Sequence, residues 1–368
     1  MTVRIAVLTG GGDCAGLNSA IKWVTKTAVD PLLAAKRQEQ FEVIGIRDGW
    51  KGLVEVDPGD PESIKHWTLP LDELVVRTWD RAGGTNLGTS RTNPFNPKND
   101  RSAKTIQNIK DLNIYAIVAI GGEDTLSVAW RLHAHNIKVV GIPKTIDRDL
   151  SATDYTLGYD SALNVITEEI DRLRTTAGSH SRVFVVETMG RHAGWLALEG
   201  GEAAGAHVIC IPEYDFEMER VCQLLARRKN AGVRYDIVVV SEGAKIKGHG
   251  EVYISDKEDG FGHKVLGGIG LYVAKEVEKI SGIETRHVVL SHLQRGGQPS
   301  AMDRLMGRRY GIAAVDLILN EDFGRMAALR QGEVTSVPLK QAIEKLMIVD
   351  VARRYDTERY NGRRSSLA

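Results

Sequence analysis

The chain has 368 residues, 42% hydrophobic and 26% charged, which suits about two packed lobes of an ordinary soluble protein. Its 48 Lys and Arg balance 48 Asp and Glu, and a net charge of zero argues against broad electrostatic binding to nucleic acid or acidic membranes. Three cysteines without CxxC spacing, no apolar run near the ~20 residues that cross a bilayer and no signal-like start argue against a disulfide framework, a zinc site and a membrane span, and point to a cytoplasmic enzyme.

Apolar runs and amphipathic segments then alternate along the chain. RIAVLT (4–9) reads as a strand, and LTGGGDCAGLN (8–18) joins it to a helix over about 16–28. In that loop Gly10, Gly11, Gly12 and Gly16 would let backbone N–H groups face a phosphate at the helix N-terminus. The loop matches neither GxxxxGK[ST] nor GxGxxG, so alone it is equally a tight connection. A strand at 41–46 follows, then the turn-rich stretches DPGDPES (57–63) and RTNPFNPKND (91–100). A helix over about 102–112 precedes YAIVAI (115–120), which runs through GGEDT (121–125) into a helix over 125–135. Glu123 in that loop is a candidate ligand for a divalent metal, or a cap in a first helical turn where acids are favoured.

The strand KVVGIP (138–143) ends in PKTIDRDL (143–150). Asp147 and Asp149 lie two apart and share a side in an extended loop. One can act as a general base, worth typically ~10²–10⁴ in rate, while the other holds position or metal; an isolated DxD is also an ordinary solvated turn. A helix over 159–175 is followed by strands at 182–188, 207–212, 235–242 and 287–292, separated by helices over 192–203, 216–230 and 264–280. KIKGHGEVYISDKEDGFGHK (245–264) reads as a hairpin or surface excursion, 302–319 as a helix, and the charged stretch 353–368 as a tail that frays or packs on a partner. The strands are continuous rather than alternating, as in a parallel sheet buried on both faces, and the β-then-α order implies a doubly wound α/β architecture. Arg191, Arg286, His292 and Arg295 fall at strand ends, and the planar fork of arginine suits phosphate. An acid pair, glycine turns and several arginines together argue phosphoryl transfer, which depends on positioning and charge neutralisation.

The ordered set GGGDCAGLN, GGEDT, PKTIDRDL, DRLRTTAGSHSRVFVVETMGRHAG, SEGA and HLQRGGQPSAMDR makes the chain resemble the phosphofructokinase family over nearly all of residues 3–345. The resemblance implies two doubly wound α/β lobes of the phosphofructokinase type, with mainly parallel sheets and the active site in the inter-lobe cleft. Residues 1–158, completed by about 294–345, would bind the donor and Mg2+; residues 159–293 would bind the sugar phosphate, with 346–368 as a C-terminal segment against them. The family phosphorylates the 1-hydroxyl of fructose 6-phosphate. By resemblance Asp147 is the base, flanked on the sugar by Thr145 and Asp149, with Met189, Gly190, Arg191 and Glu242 at sugar-binding positions. His292 and Arg295 match the holders of the 6-phosphate, and Arg182 and Arg286 match arginines that reach into a neighbouring subunit's site, which implies a homo-oligomer. Gly11, Gly12, Thr125 and Arg91 fall in the donor-phosphate set, and Glu123 stands at the metal position.

Two residues bear on the donor. ATP-using members carry glycine where this chain has Asp124, and a carboxylate there would repel the α-phosphate of a nucleotide. The diphosphate-dependent branch shares this acid and the lysine at Lys144, which would neutralise the departing phosphate, so pyrophosphate is the expected donor. ATP as donor, sedoheptulose 7-phosphate as a further acceptor and an inactive sugar-phosphate-binding homologue stay open. The chain departs from the family at Ala15, at Ser127 and above all at Arg148, where asparagine is usual. A cation at Arg148 should lower the pKa of Asp147 and weaken it as a base, unless it points away or contacts a phosphate. Lys22 and Lys26 read as solvated helix residues, and no allosteric control is predicted from them.

Overall fold

The computed structural model describes residues 2–37, 39–249, 253–258 and 264–365. Two large sheets are built from β1 (Thr2–Thr9), β2 (Gln40–Ile46), β3 (Thr68–Leu71), β4 (Ile114–Gly121), β5 (Val139–Pro143), β6 (Val183–Thr188), β7 (Val208–Cys210), β8 (Asp236–Ser241), β9 (Thr285–Val289), β10 (Arg325–Arg330) and β11 (Glu333–Pro338). The main helices are α1 (Leu17–Ala28), α2 (Glu123–Ala134), α3 (Tyr159–His180), α4 (Trp195–Ala203), α5 (Met218–Asn230), α6 (Ile269–Ser281) and α7 (Ala301–Leu319).

One sheet has seven strands in the order β11-β10-β5-β4-β1-β2-β3, parallel except at its two edge strands, β3 and β11. The other has four strands in the order β9-β6-β8-β7, all parallel. Burial on both faces explains the continuous apolar runs. Along β4, Ala116, Val118 and Ile120 enter one core cluster while Ile117 and Ala119 enter the other. The doubly wound α/β expectation is therefore what the chain adopts.

Several boundaries moved for local reasons. The helix expected from residue 264 begins at Ile269, because Gly268 takes a left-handed φ of 84° as its N-cap and Lys264–Leu266 instead pairs antiparallel with Tyr253–Glu258. The rest of the expected excursion, at 250–252 and 259–263, lies outside the described residues. The strand expected over 287–292 stops at Val289, and Ser291–Arg295 forms a 3-10 turn. Strands β10 and β11 were not anticipated: RMAALR carries good helix formers, and pairing with β5 and β11 overrides that preference. The charged tail does not fray at 355–362. Tyr355 Oη donates to the Ile209 carbonyl at 2.6 Å and the Ile209 N–H donates to the Tyr360 carbonyl at 2.6 Å, which closes the edge of β7.

Helix α7 returns the chain to the seven-stranded sheet and packs on α1, with Gly307 and Gly311 facing Ser19 and Trp23 so closely that a Cβ would meet them at 2.7 and 2.8 Å. Its Asp303 is fully buried and joins three segments. Oδ1 accepts from Tyr155 Oη at 2.8 Å and the Gly158 N–H at 2.7 Å, and Oδ2 accepts from the Ser161 N–H at 3.0 Å and Ser161 Oγ at 2.5 Å. These bonds satisfy two of the orphan amides at the start of α3 and fix the passage from one sheet to the other. Among the described residues no helix is long and apolar enough to cross a membrane. Replacing Asp303 by Ala strands these buried donors, and the unfolding free energy from denaturant titration should fall by about 3 kcal/mol. A loss under about 1 kcal/mol would mean that water replaces the carboxylate.

Candidate active site

Strands β1, β4 and β5 are neighbours in one parallel sheet, so the loops after their C-terminal ends meet at one edge. That edge collects GGGDCAGLN, GGEDT and PKTIDRDL. Lys144 lies beneath the first loop, 3% exposed, and its Nζ donates to the Gly10 carbonyl at 3.0 Å and to the Gly12 carbonyl. Its backbone N–H also donates to the Gly121 carbonyl at 3.0 Å, so one residue ties all three loops together. Burial draws the Lys144 ammonium down to about 8, against the raising effect of Cys14, Asp13 and Asp149.

The glycine loop differs from its sequence reading in one respect. The Gly10 and Gly11 amides do not point at open space: they donate to the Ile120 and Ser90 carbonyls at 3.0 and 3.1 Å. What the glycines provide is closeness. Thr125, 2% exposed, sits where a Cβ on Gly10 would be and within 2.5 Å of one on Gly121, and a Cβ on Gly12 would come within 2.5 Å of Arg295 Nη1. Thr89 Oγ1 donates to the Gly11 carbonyl at 2.7 Å, which brings the loop carrying Arg91 over the glycines.

Asp147 and Asp149 share the third loop. Oδ1 of Asp147 is sealed from solvent with no hydrogen-bond partner, and burial raises this carboxyl above its ordinary value against the lowering pull of Arg295, Arg191, His192 and Lys144. Asp149 is pushed up to about 7, first by burial and then by the Asp147 charge, while a bond from Thr145 opposes the shift. Glu242 also rises to about 7, by burial and then by Asp147. Of the two courses open to Arg148, the structure takes the one directed away from the acids, and Asp147 is raised rather than lowered. Arg148 takes φ 52°, and its Nη1 lies 3.0 and 3.1 Å from the two carboxylate oxygens of Glu199 on α4.

The second sheet brings its own loops to these acids. Met189, Gly190 and Arg191 follow β6, and Glu242 follows β8, with its N–H on the Thr188 carbonyl at 2.8 Å. Arg295 Nη1 donates to the Asp13 carbonyl at 2.9 Å, so the turn with His292 and Arg295 touches the glycine loop of the other sheet. Gln294, which the sequence reading passed over although it lies between those two residues, is 2% exposed. Its Oε1 accepts from the Met189 N–H at 3.3 Å and its Nε2 donates to the Ser291 carbonyl at 3.1 Å, locking the two loops in register. Arg182 and Arg286 are not brought to this edge. They lie at the start of β6 and β9, where each pairs with Glu284, at 2.9 and 2.6 Å. A strand of this length puts Arg182 roughly 20 Å from Met189.

Glu123 and Asp124 occupy the first turn of α2, where the helix dipole favours negative charge. Glu123 is exposed, Asp124 is half-buried, and Glu123 is close enough to raise Asp149. Among the described residues no group of three metal-ligating side chains gathers.

The Phosphofructokinase family profile matches residues 4–318. The chain belongs to the phosphofructokinase family. The pyrophosphate–fructose 6-phosphate 1-phosphotransferase of Streptomyces coelicolor is 47% identical across 95% of this chain and 97% of its own length. ATP-dependent 6-phosphofructokinase 3 of the same organism is 42% identical across 97% of this chain and 99% of its own. The crystal structure of a pyrophosphate-dependent phosphofructokinase from Marinobacter aquaeolei superposes with a TM-score of 0.79 at 22% identity, covering 98% of this chain and 89% of that one, and shares the two-sheet fold. Because the Asp147 charge helps to raise both Asp149 and Glu242, Asp147→Asn should lower the apparent pKa of each from about 7, as read by carboxyl-carbon NMR titration. Unchanged values would assign both shifts to burial alone.

Proposed function

We propose that the chain catalyses the reversible transfer of a phosphoryl group from pyrophosphate to the 1-hydroxyl of fructose 6-phosphate, giving fructose 1,6-bisphosphate and phosphate. Such a step serves glycolysis and, in reverse, gluconeogenesis, and suits a cytoplasmic enzyme. The observation that carries the reading is the half-buried carboxylate of Asp124 in the first turn of α2, on the loop that the buried Lys144 ties to the glycine turn. Relatives named for pyrophosphate at 43 to 47% identity support it.

In this reading the seven-stranded sheet, residues 1–158 completed by about 294–345, binds the donor, and residues 159–293 bind the sugar phosphate. Asp147 takes the proton of the 1-hydroxyl as its oxygen attacks the terminal phosphorus and the bridging P–O bond breaks. A carboxyl raised by burial is the stronger base for that work. Thr145, Asp149, Met189, Gly190, Arg191 and Glu242 orient the sugar, and His292 with Arg295 receives its 6-phosphate. Gly11, Gly12, Thr125 and Arg91 cradle the donor, and Lys144 neutralises the leaving phosphate from below. Asp124 closes the space a nucleotide α-phosphate would need. Mg2+ fits this donor set, because it is commonly held by one or two carboxylates with substrate phosphates completing its shell, and Glu123 is an exposed carboxylate at the right edge. When bound, it would screen the phosphate charge. Arg182 and Arg286 would complete the 6-phosphate site of a neighbouring copy, making a homo-oligomer the active unit.

Assays of fructose 6-phosphate with Mg2+ and either donor test the reading. Turnover with pyrophosphate and not ATP is expected, and Asp124→Gly should admit ATP. Turnover with ATP alone would overturn the donor, and turnover of sedoheptulose 7-phosphate would widen the acceptor. The pH profile has a set sign. Asp149 and Glu242 must be ionised and Lys144 must be protonated, so kcat/KM for pyrophosphate should fall as pH drops below about 7 and again as it rises above about 8. A profile flat across pH 6 to 9 would remove these groups from the reaction.

A further inference from the structure

Arg148 is the one cation placed in sequence between the two acids of the third loop, and its side chain ends in a knot outside that loop. Both Glu199 oxygens accept from its Nη1, Tyr159 Oη donates to Glu199 Oε2 at 2.6 Å, and Arg354 Nη2 donates to Oε1 at 3.0 Å. The guanidinium also lies 4.9 Å from the Trp195 ring centroid and 5.3 Å from that of Tyr159. The same elements grip the loop's main chain: Met347 N–H donates to the Asp149 carbonyl at 2.6 Å, and Trp195 Nε1 donates to the Met347 carbonyl at 2.9 Å. Glu199 is the carboxylate paired with Arg148 among the described residues. Arg148 Nε is buried without a hydrogen bond, and so is Asp147 Oδ1, on the adjacent residue.

That leaves a donor and an acceptor, each unsatisfied, on neighbouring residues, with the guanidinium paired to a carboxylate outside the loop. We propose that Glu199 is a positioning residue: it holds the Arg148 guanidinium in the Trp195–Tyr159 cage and away from Asp147, so that the Asp147 carboxylate stays unpaired and available to the sugar hydroxyl. The inference rests on Asp147 being the base in the reaction proposed above. Loss of the Glu199 charge leaves the Arg148 guanidinium without its carboxylate, and Asp147, the residue beside it in sequence, carries a buried oxygen with no hydrogen-bond partner. An Arg–carboxylate pair there would bind the lone pair that must take the proton.

The test compares wild type with Glu199→Gln, Arg148→Asn and the double variant, using fructose 6-phosphate and pyrophosphate with Mg2+. Glu199→Gln should lower kcat about tenfold or more with KM for fructose 6-phosphate within about threefold, a share of what a general base supplies. Arg148→Asn, in which asparagine tolerates the left-handed backbone, should stay within about threefold of wild type, and the double variant should return to that level. Thermal midpoints are read alongside, because a purely structural role for Glu199 would give a double variant no better than Glu199→Gln. That result, or full kcat in Glu199→Gln, overturns the inference while leaving the proposed reaction standing. A wild-type chain inert with every donor and acceptor named above overturns the reaction itself, and this inference with it.

Discussion

A single buried ammonium organises the edge that carries the candidate site. Lys144 donates to two carbonyls of the glycine loop through its side chain and to the end of β4 through its backbone. An unpaired ammonium in such a place would be costly, and carbonyl oxygens are the acceptors that make it tolerable. Remove that group and two carbonyls lose their donor, the glycine loop loses its floor, and Thr125 loses the surface against which it fits. The same residue keeps a positive charge under the place where donor phosphates would rest, so the fold and the proposed chemistry draw on one interaction.

Much of this was legible in the chain because the seven-stranded and four-stranded sheets are buried on both faces. Continuous apolar runs such as YAIVAI and YDIVVVSE have few other uses, and the loops after them are where a parallel sheet exposes its chemistry. What escaped was set by pairing rather than by local preference. RMAALR becomes β10 only because β5 offers an edge, and the start of α6 is decided by one glycine dihedral and a short antiparallel partner. The short helices Trp50–Glu55 and Pro61–Trp67 carry too few turns to show a period.

The site was legible as a set of residue types and illegible as a set of directions. Asp147, Lys144 and Arg295 could be named from their motifs, but nothing in GGGDC says that the Gly10 and Gly11 amides are already committed to Ile120 and Ser90. Arg148 shows the same limit more sharply. Its neighbours in sequence are two acids, and its neighbours in space are Glu199, Trp195 and Tyr159. A positive φ and a partner 51 residues away decide which set of neighbours matters. Gln294 was hidden for the opposite reason: a neutral amide between His292 and Arg295 attracts no notice until its two bonds to Met189 and Ser291 are seen.

The order of strands also bears on how the chain comes off the ribosome. The four-stranded sheet is drawn from one unbroken stretch, from Val183 to Val289, and can close as soon as that stretch is free. The seven-stranded sheet starts at Thr2 and ends at Pro338, and α1 waits for α7 to cover its apolar face. The part made first is thus finished last, with β5 an open edge until β10 pairs with it and α1 lacking its α7 partner until residues 301–319 are made. Long-range closure of this kind folds slowly and leaves sticky surface exposed meanwhile. The first strands of this design therefore stay incompletely packed until residues 301–338 have been made.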